Sequence, residues 1–137
     1  MRHLLLICIL SLMFVSGCDN SSDNLNHQKE APKITDSIET ITVQFGDGNN
    51  MTISNKDQVK YIIDQIRSYT FESVDKPLSV GQHFFLKLGN QQYLSTGYLT
   101  YDGTYYKVKD TDEQKVLQLN NYIINIGKEK FPSLLGG

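Results

Sequence analysis

Apolar and polar residues alternate with a period of two over several stretches of the chain, and this pattern predicts β-strands. In 38–45, polar residues separate Ile41, Val43 and Phe45. A cluster of Gly, Asp and Asn residues at 46–50 then predicts a turn that leads into a short return strand. The predicted strands are 38–45, 51–53, 83–88, 93–101 and 104–108.

Apolar residues spaced three and four positions apart predict two amphipathic helices. The apolar stripe of the first helix is Val59, Ile62, Ile63 and Ile66, and that of the second is Val116, Leu119, Ile123 and Ile126. Ser54 with Asp57 resembles a capping box at the start of the first helix. Asp110 or Thr111 is expected to cap the second helix, and Gly127 is expected to end it.

The dipeptide Asp102-Gly103 predicts a tight hairpin between the last two strands, because Asp-Gly supplies the positive φ angles of a type I′ turn. Such a turn places Tyr101 opposite Thr104 and Leu99 opposite Tyr106. One face of the hairpin then carries Leu99, Tyr101, Tyr106 and Val108, and the other carries Tyr98, Thr100, Tyr105 and Lys107.

The order of these elements is hairpin, helix, three-stranded meander, helix. It predicts a two-layer α+β domain over 35–137, with an antiparallel sheet of about five strands and two helices on one face. Residues 68–82 show no clean period, and only 69–71 favour a strand. A connection of this length in a compact domain is either functional or partly ordered on the surface, which makes it a second candidate contact surface.

The N-terminus has the pattern of an export signal. Arg2 precedes an almost uninterrupted apolar run over 4–15. A membrane-spanning helix needs roughly 20 apolar residues, so this run is too short to cross a bilayer comfortably. Residues 1–17 are therefore predicted to be a signal peptide.

The sequence Val15-Ser16-Gly17-Cys18 at the end of this run resembles the lipobox of bacterial lipoproteins. The resemblance implies cleavage between Gly17 and Cys18 and attachment of a diacylglyceryl group, with acyl chains such as palmitate, to the Cys18 thiol. Two acyl chains suffice to hold a domain stably on a membrane. Asp19 resembles the signal that retains lipoproteins on the inner membrane of two-membrane bacteria. The resemblance places the protein on the outer face of the cytoplasmic membrane.

Residues 18–34 are expected to form the lipidated cysteine and a flexible tether. Between Asp19 and Lys33 the apolar side chains are few, so the segment buries too little surface to offset the entropy of ordering. His27 is therefore expected to be a solvated linker residue rather than a ligand.

Composition and charge narrow the function classes further. The 137 residues suffice for one domain, and the net charge of −2 indicates no nucleic-acid partner. Without Arg2, twelve basic and fifteen acidic residues leave a net charge of −3, which adds no polybasic membrane contact. Since Cys8 leaves with the signal and Cys18 carries lipid, no cysteine remains for a disulfide or a thiolate metal site.

Candidate catalytic residues are scarce. His83 is the one histidine of the predicted domain, and no serine lies in a Gly-x-Ser-x-Gly sequence. The turn at 46–50 lacks the alternating acids of a calcium loop. No metal site and no cofactor are expected, although a pair of catalytic carboxylates is not excluded by sequence.

If Phe84, Leu86 and Leu88 face the helices, the opposite face of the sheet carries aromatic and cationic side chains. This predicted binding face consists of His83, Phe85, Lys87, Tyr98, Thr100, Tyr105 and Lys107. A face of this composition suits a peptide, a glycan or an envelope protein, but the same residue types are common on any solvated sheet.

The element order over roughly 35–130 loosely resembles small domains of unknown function in lipoproteins of Gram-positive bacilli, which implies a fold rather than an activity. The favoured hypothesis is a non-catalytic binding or interaction module of the cell envelope. The alternatives are a small cofactor-free envelope enzyme and an accessory subunit of a membrane complex.

Overall fold

The computed structural model of the chain describes residues 32–34, 37–78 and 81–136. The predicted signal peptide (1–17), Cys18 and its cleavage site, His27 and most of the predicted tether lie outside the described residues, so the statements about them stay predictions.

The described residues form an α+β fold with one antiparallel sheet of seven strands and two α-helices. The strands are β1 (Ile41–Phe45), β2 (Asn50–Ile53), β3 (Phe71–Val74), β4 (Phe84–Leu88), β5 (Gln91–Leu94), β6 (Tyr98–Tyr101) and β7 (Thr104–Val108). The helices are α1 (Lys56–Arg67) and α2 (Glu113–Lys130). The order in the sheet is β2-β1-β4-β5-β6-β7-β3. The α+β class, the antiparallel sheet and the two helices are confirmed, whereas the expected number of about five strands is wrong.

One additional strand arises because the predicted strand 93–101 is two strands. β5 ends at Leu94, and a three-residue turn leads into β6. Gly97 takes the left-handed position of this turn, with φ of 81°, and its N–H donates to the Leu94 carbonyl at 2.9 Å. Tyr93 and Leu99 pair directly and both face the core, so the alternation of the sequence continues unbroken through the turn.

The other additional strand, β3, lies within 68–82. It pairs with β7 at the edge of the sheet, with Phe71 opposite Val108 and Ser73 opposite Tyr106. The two strands are far apart along the chain, so no turn sequence indicates that they pair. The sequence favours a strand only over 69–71, of which Phe71 alone lies in β3, and it does not indicate the partner strand.

β3 and β4 run in the same direction, and β7, β6 and β5 lie between them. Two parallel strands need a crossover connection, which explains why a long segment joins them. The described parts of this connection are 75–78 and 81–83, and Leu78 is fully exposed there.

One face of the sheet forms part of the hydrophobic core. The buried residues of α1 and α2 belong to the same core cluster as the inward side chains of the strands. The inward side chains include Ile41, Val43, Phe45, Phe84, Leu86, Leu88, Tyr93, Leu99, Tyr106 and Val108. The predicted stripe of α1 is fully confirmed, and in α2 Leu119 and Ile123 are buried while Val116 and Ile126 are half-buried.

The N-cap of α1 is Asn55, one residue after the predicted Ser54. The Asn55 Oδ1 accepts hydrogen bonds from the backbone N–H groups of Asp57, at 3.0 Å, and Gln58, at 3.1 Å. Two of the N–H groups at the start of the helix are thereby satisfied. Ser54 is therefore not the cap.

The predicted caps of α2, Asp110 and Thr111, lie in a 3-10 turn that precedes the helix, and Asp112 occupies the N-cap position. The Asp112 carboxylate accepts the Thr70 N–H at 2.7 Å and pairs with the Lys115 ammonium at 2.7 Å. The hydrogen bond from Lys115, followed by that from Thr70, lowers the pKa of Asp112 below its usual value. These contacts tie the start of α2 to the segment that leads into β3.

Gly127 lies inside α2, which continues to Lys130, so the predicted end of the helix is wrong. The glycine is needed for packing: a Cβ at this position would lie 2.5 Å from Cζ of Phe45 and 2.6 Å from Cδ2 of Leu134. Leu134 is fully buried, so the C-terminal segment packs against the core.

The last residues of the predicted tether contact the domain. Ile34 is buried, and its carbonyl accepts a hydrogen bond from the Arg67 guanidinium at 2.7 Å. The Lys33 carbonyl accepts one from the Gln91 side chain at 2.9 Å. The chain therefore enters the domain beside the end of α1 and the start of β5.

Candidate binding surface

The outward side chains of the six strands other than β2 form two adjacent rows that run across the sheet. The first row is Gln44, Phe85, Leu94, Tyr98, Lys107 and Glu72, in the order of the strands. The second row is Thr42, Lys87, Gln92, Thr100, Tyr105 and Val74. We call these twelve residues the outer surface.

Six of the seven residues of the predicted binding face belong to these rows. Two are in β4, two in β6 and two in β7, and the alternation of each strand turns them away from the core. The six are Phe85, Lys87, Tyr98, Thr100, Tyr105 and Lys107. Their common placement follows from the pattern in the sequence, while their function in binding stays a prediction.

His83 lies at the rim of the outer surface, just before β4. Its side chain is exposed, and its backbone is held on both sides. The His83 N–H donates to the Ser95 hydroxyl at 2.9 Å, and the His83 carbonyl accepts the Gly46 N–H at 2.8 Å. These bonds continue the β1–β4 pairing by one residue, which keeps His83 on the same side as Phe85.

The centre of the outer surface is apolar. Phe85 and Leu94 are directly paired, and Leu94 is directly paired with Tyr98. Each of the three is half-buried, because neighbouring strands bring the side chains of one row into contact. Tyr105 of the second row is half-buried as well, diagonally next to Tyr98.

The two lysines of the outer surface have different surroundings. Lys107 lies opposite Glu72 on β3, and its ammonium is 3.5 Å from the Asp110 carboxylate. The Lys87 ammonium lies 5.9 Å from the centre of the Phe85 ring, a cation–π contact. No carboxylate of the described residues forms an ion pair with Lys87.

The turn between β5 and β6 is hydrogen-bonded to α2. The Asn120 side chain on α2 donates to the Ser95 carbonyl at 2.7 Å. Ser95 in turn receives the N–H of His83, as described above, and its own N–H donates to the Phe84 carbonyl at 3.1 Å. Hydrogen bonds of Ser95 with His83, Phe84 and Asn120 therefore hold the turn between the strands that carry Phe85 and Tyr98.

The sequence pattern missed several members of the rows. Leu94 and Gln92 follow directly from the alternation around Tyr93, which faces the core, so the signal was present. Glu72 and Val74 depend on the pairing of β3 with β7, which no local pattern indicates. The second candidate contact surface, 68–82, is divided by the structure, because β3 belongs to the sheet.

The buried hydroxyl groups lie elsewhere, on the inner side of the sheet. The rings of Tyr69 and Tyr93 are 6.2 Å apart between centres, and the Tyr69 hydroxyl donates to the Lys115 carbonyl at 3.1 Å. Burial raises the pKa of Tyr93 well above its usual value and raises that of Tyr69 as well. Both hydroxyl groups are protonated at neutral pH, as in an ordinary tyrosine, and both side chains are part of the hydrophobic core.

Two grooves border α1 and do not include the outer surface. One, of about 680 Å³, lies between residues 38–40 and α1, and is lined by apolar residues and by charges of both signs. The other, of about 360 Å³, lies beside β2 and the end of α2. His83 lines neither groove.

Among the described residues, no group of three His, Cys, Asp or Glu side chains is placed to hold a metal ion. Neither α1 nor α2 combines the length and the apolar character that crossing a membrane requires. Comparison of the chain with protein-family models, with curated proteins and with solved structures gave no match.

Proposed function

We propose that the mature protein is a lipid-anchored, non-catalytic binding module of the bacterial cell envelope, and that the outer surface is where it binds. The lipobox-like sequence Val15-Ser16-Gly17-Cys18 supports the lipid on Cys18 and the location on the outer face of the cytoplasmic membrane. The part of the predicted tether before Lys33 would then let the domain move above the bilayer, since Lys33 and Ile34 contact the domain.

The observation that carries the binding proposal is that the apolar centre of the outer surface is continuous across three strands. Phe85, Leu94 and Tyr98 come from three neighbouring strands and meet in a single row. An apolar strip bordered by polar side chains is typical of a recognition surface. In the proposed two-layer arrangement, the two helices lie on the opposite face and leave this strip accessible.

The enzyme alternative has less support. It requires His83, or a pair of carboxylates, inside a concave pocket. His83 is exposed at the rim and lines neither of the two grooves. Two carboxylates, Glu39 and Asp64, line the first groove, but Asp64 forms an ion pair with Lys60 there. A function as an accessory subunit of a membrane complex would use a protein partner and is decided by the same experiment as the binding module.

The experiment is site-specific photo-cross-linking in intact bacteria that express the full chain. Benzoylphenylalanine replaces Tyr98 or Tyr105 on the outer surface, Leu78 on the β3–β4 connection, or Tyr61 on α1. Tyr61 is the matched control, because it is an accessible tyrosine in the helical layer.

We expect adducts of one defined mass from positions 98 and 105 and none from position 61. Adducts from position 78 alone would move the binding site to the connection. Equal adducts from positions 61 and 98, or no adduct from positions 98 and 105, would contradict the proposal.

A further inference from the structure

We propose that the ligand of the outer surface is an extended acidic glycan, whose sugar rings stack along the first row and whose acidic groups meet Lys87. This inference rests on the proposed function, since it names the ligand class of the same surface. Three properties of the surface lead to it: its residue types, its spacing and its charge.

The residue types favour a sugar over a protein partner. The outer surface combines aromatic rings with amide and hydroxyl side chains, which are Gln44, Gln92, Thr42 and Thr100. The negative face of an aromatic ring attracts the C–H groups of a sugar ring, while amides and hydroxyls bond its hydroxyl groups. The centres of protein interfaces are also rich in aromatic residues, but they are rich in Arg and Met as well and poor in Lys and Glu. The outer surface contains no Arg or Met but has two Lys and one Glu.

The spacing of the aromatic side chains suits an extended chain of sugars. Phe85 and Tyr98 lie in the same row on strands separated by one strand, β5. Neighbouring strands are about 4.8 Å apart, so the two rings are about 10 Å apart across the sheet. This distance is close to the advance of two sugars along an extended glycan, which places the first and third sugars of a trisaccharide on the two rings and the middle sugar over Leu94. Tyr105 extends the stacking surface diagonally beyond Tyr98.

The charge of the surface is complementary to an acidic ligand. Lys107 forms a 3.5 Å ion pair with Asp110 and lies opposite Glu72 across the β3–β7 pair. Lys87 has no carboxylate partner among the described residues, and its ammonium lies over the Phe85 ring, 5.9 Å from the ring centre. Because the Lys87 side chain is exposed, its ammonium can turn from the ring to a carboxylate or other acidic group of a glycan stacked on Phe85.

The test is isothermal titration calorimetry on the full, lipid-bearing chain in a polyoxyethylene detergent, which has no sugar headgroup. Three probes separate the contributions. A hyaluronan hexasaccharide supplies sugar rings and carboxylates, chitohexaose supplies similar rings without charge, and hexaglutamate supplies carboxylates without sugar rings. We expect hyaluronan to bind most tightly, chitohexaose more weakly, and hexaglutamate not measurably.

Two substitutions distinguish stacking from charge. Lys87→Ala should weaken hyaluronan about threefold and leave chitohexaose unchanged, because it removes one exposed charge contact. Tyr98→Ala should weaken both sugars about tenfold. Lys128→Ala and Tyr61→Ala, on the helices, are the matched controls and should change neither affinity. Circular dichroism melts confirm that each variant is folded. If Tyr98→Ala is not folded, Lys87→Ala still tests the proposal, because the Lys87 side chain is exposed.

The remaining outcomes overturn the inference in different ways. Equal binding of hyaluronan and chitohexaose, or no effect of Lys87→Ala, would refute the acidic ligand. Equal binding of hexaglutamate and hyaluronan would refute stacking and indicate an acidic peptide. No binding of either sugar would refute the glycan altogether. If cross-links still form at positions 98 and 105 in that case, the proposed binding surface stands and its ligand is of another class.

Discussion

Gly127 shows how a single residue sets the distance between α2 and the sheet. The absence of a side chain lets the Phe45 ring and Leu134 approach the helix backbone on its buried side. The core of the domain and its C-terminal segment therefore meet at this glycine. A glycine in a helix interior carries an intrinsic cost, and here close packing offsets it.

We predict that Gly127→Ala destabilises the protein. Alanine is favoured over glycine in a helix by about 1 kcal/mol. The added Cβ would lie 2.5 Å from Phe45 and 2.6 Å from Leu134, and such overpacking costs about 1–3 kcal/mol. We expect the overlap to dominate and the free energy of unfolding, measured by urea titration, to fall by about 1 kcal/mol.

Gly81→Ala is the control for this substitution. A Cβ at Gly81 would have no atom within 4 Å, and its φ angle is not in the left-handed region. It should leave stability unchanged or raise it by up to about 1 kcal/mol. An unchanged or higher stability of Gly127→Ala would mean that the helix shifts without cost, contrary to our interpretation.

At the scale of elements, the boundaries depend on single hydrogen bonds that the pattern of apolar residues does not contain. The stripe of α1 predicts which face is buried, but both Ser54 and Asn55 are residue types that cap helices. The structure selects Asn55, whose Oδ1 is 3.0 Å and 3.1 Å from two backbone nitrogen atoms of the first turn.

The cap assignment predicts different effects for two adjacent substitutions. Asn55→Ala should lower the free energy of unfolding by about 1 kcal/mol, since it leaves two N–H groups of the helix without their protein partner. Ser54→Ala should change it by less than about 0.5 kcal/mol. Urea titrations of the two variants compare them directly, and the reverse order would show that Ser54 is the cap.

The strands differ in how much of their pairing is local. The β6–β7 hairpin was predictable with its register, because Asp102 and Gly103 adopt φ angles of 47° and 70° within a two-residue turn. β3 was not, because its partner β7 comes after three other strands. The split of 93–101 escaped notice because the turn preserves the alternation on both sides.

At the scale of the whole molecule, the prediction concerns the attachment to the membrane. The mature chain would have a net charge of −3 and no polybasic segment, so we predict that a lipid on Cys18 provides the anchor. Radiolabelled palmitate supplied to cells should therefore enter the wild-type protein and be absent from Cys18→Ala.

Cys8→Ala is the matched control for the lipid, because Cys8 is the other cysteine and lies within the predicted signal peptide. It should incorporate the label like the wild type. Equal labelling of wild type and Cys18→Ala would refute the lipid on Cys18. Loss of label in Cys8→Ala alone would show that Cys8, and not Cys18, carries the lipid.

The sequence by itself determined those features that depend on neighbours along the chain. These are the helical stripes, the alternation of the strands, and the register of the last hairpin, which places Tyr98 and Tyr105 on one face. Only the tertiary structure decided the features that depend on distant residues. Pairing with β7 places β3 and its Glu72 at the edge of the sheet, and the packing of Phe45 keeps Gly127 inside α2. Periodicity reports which side of an element is buried, whereas contacts between distant elements decide what lies against that side.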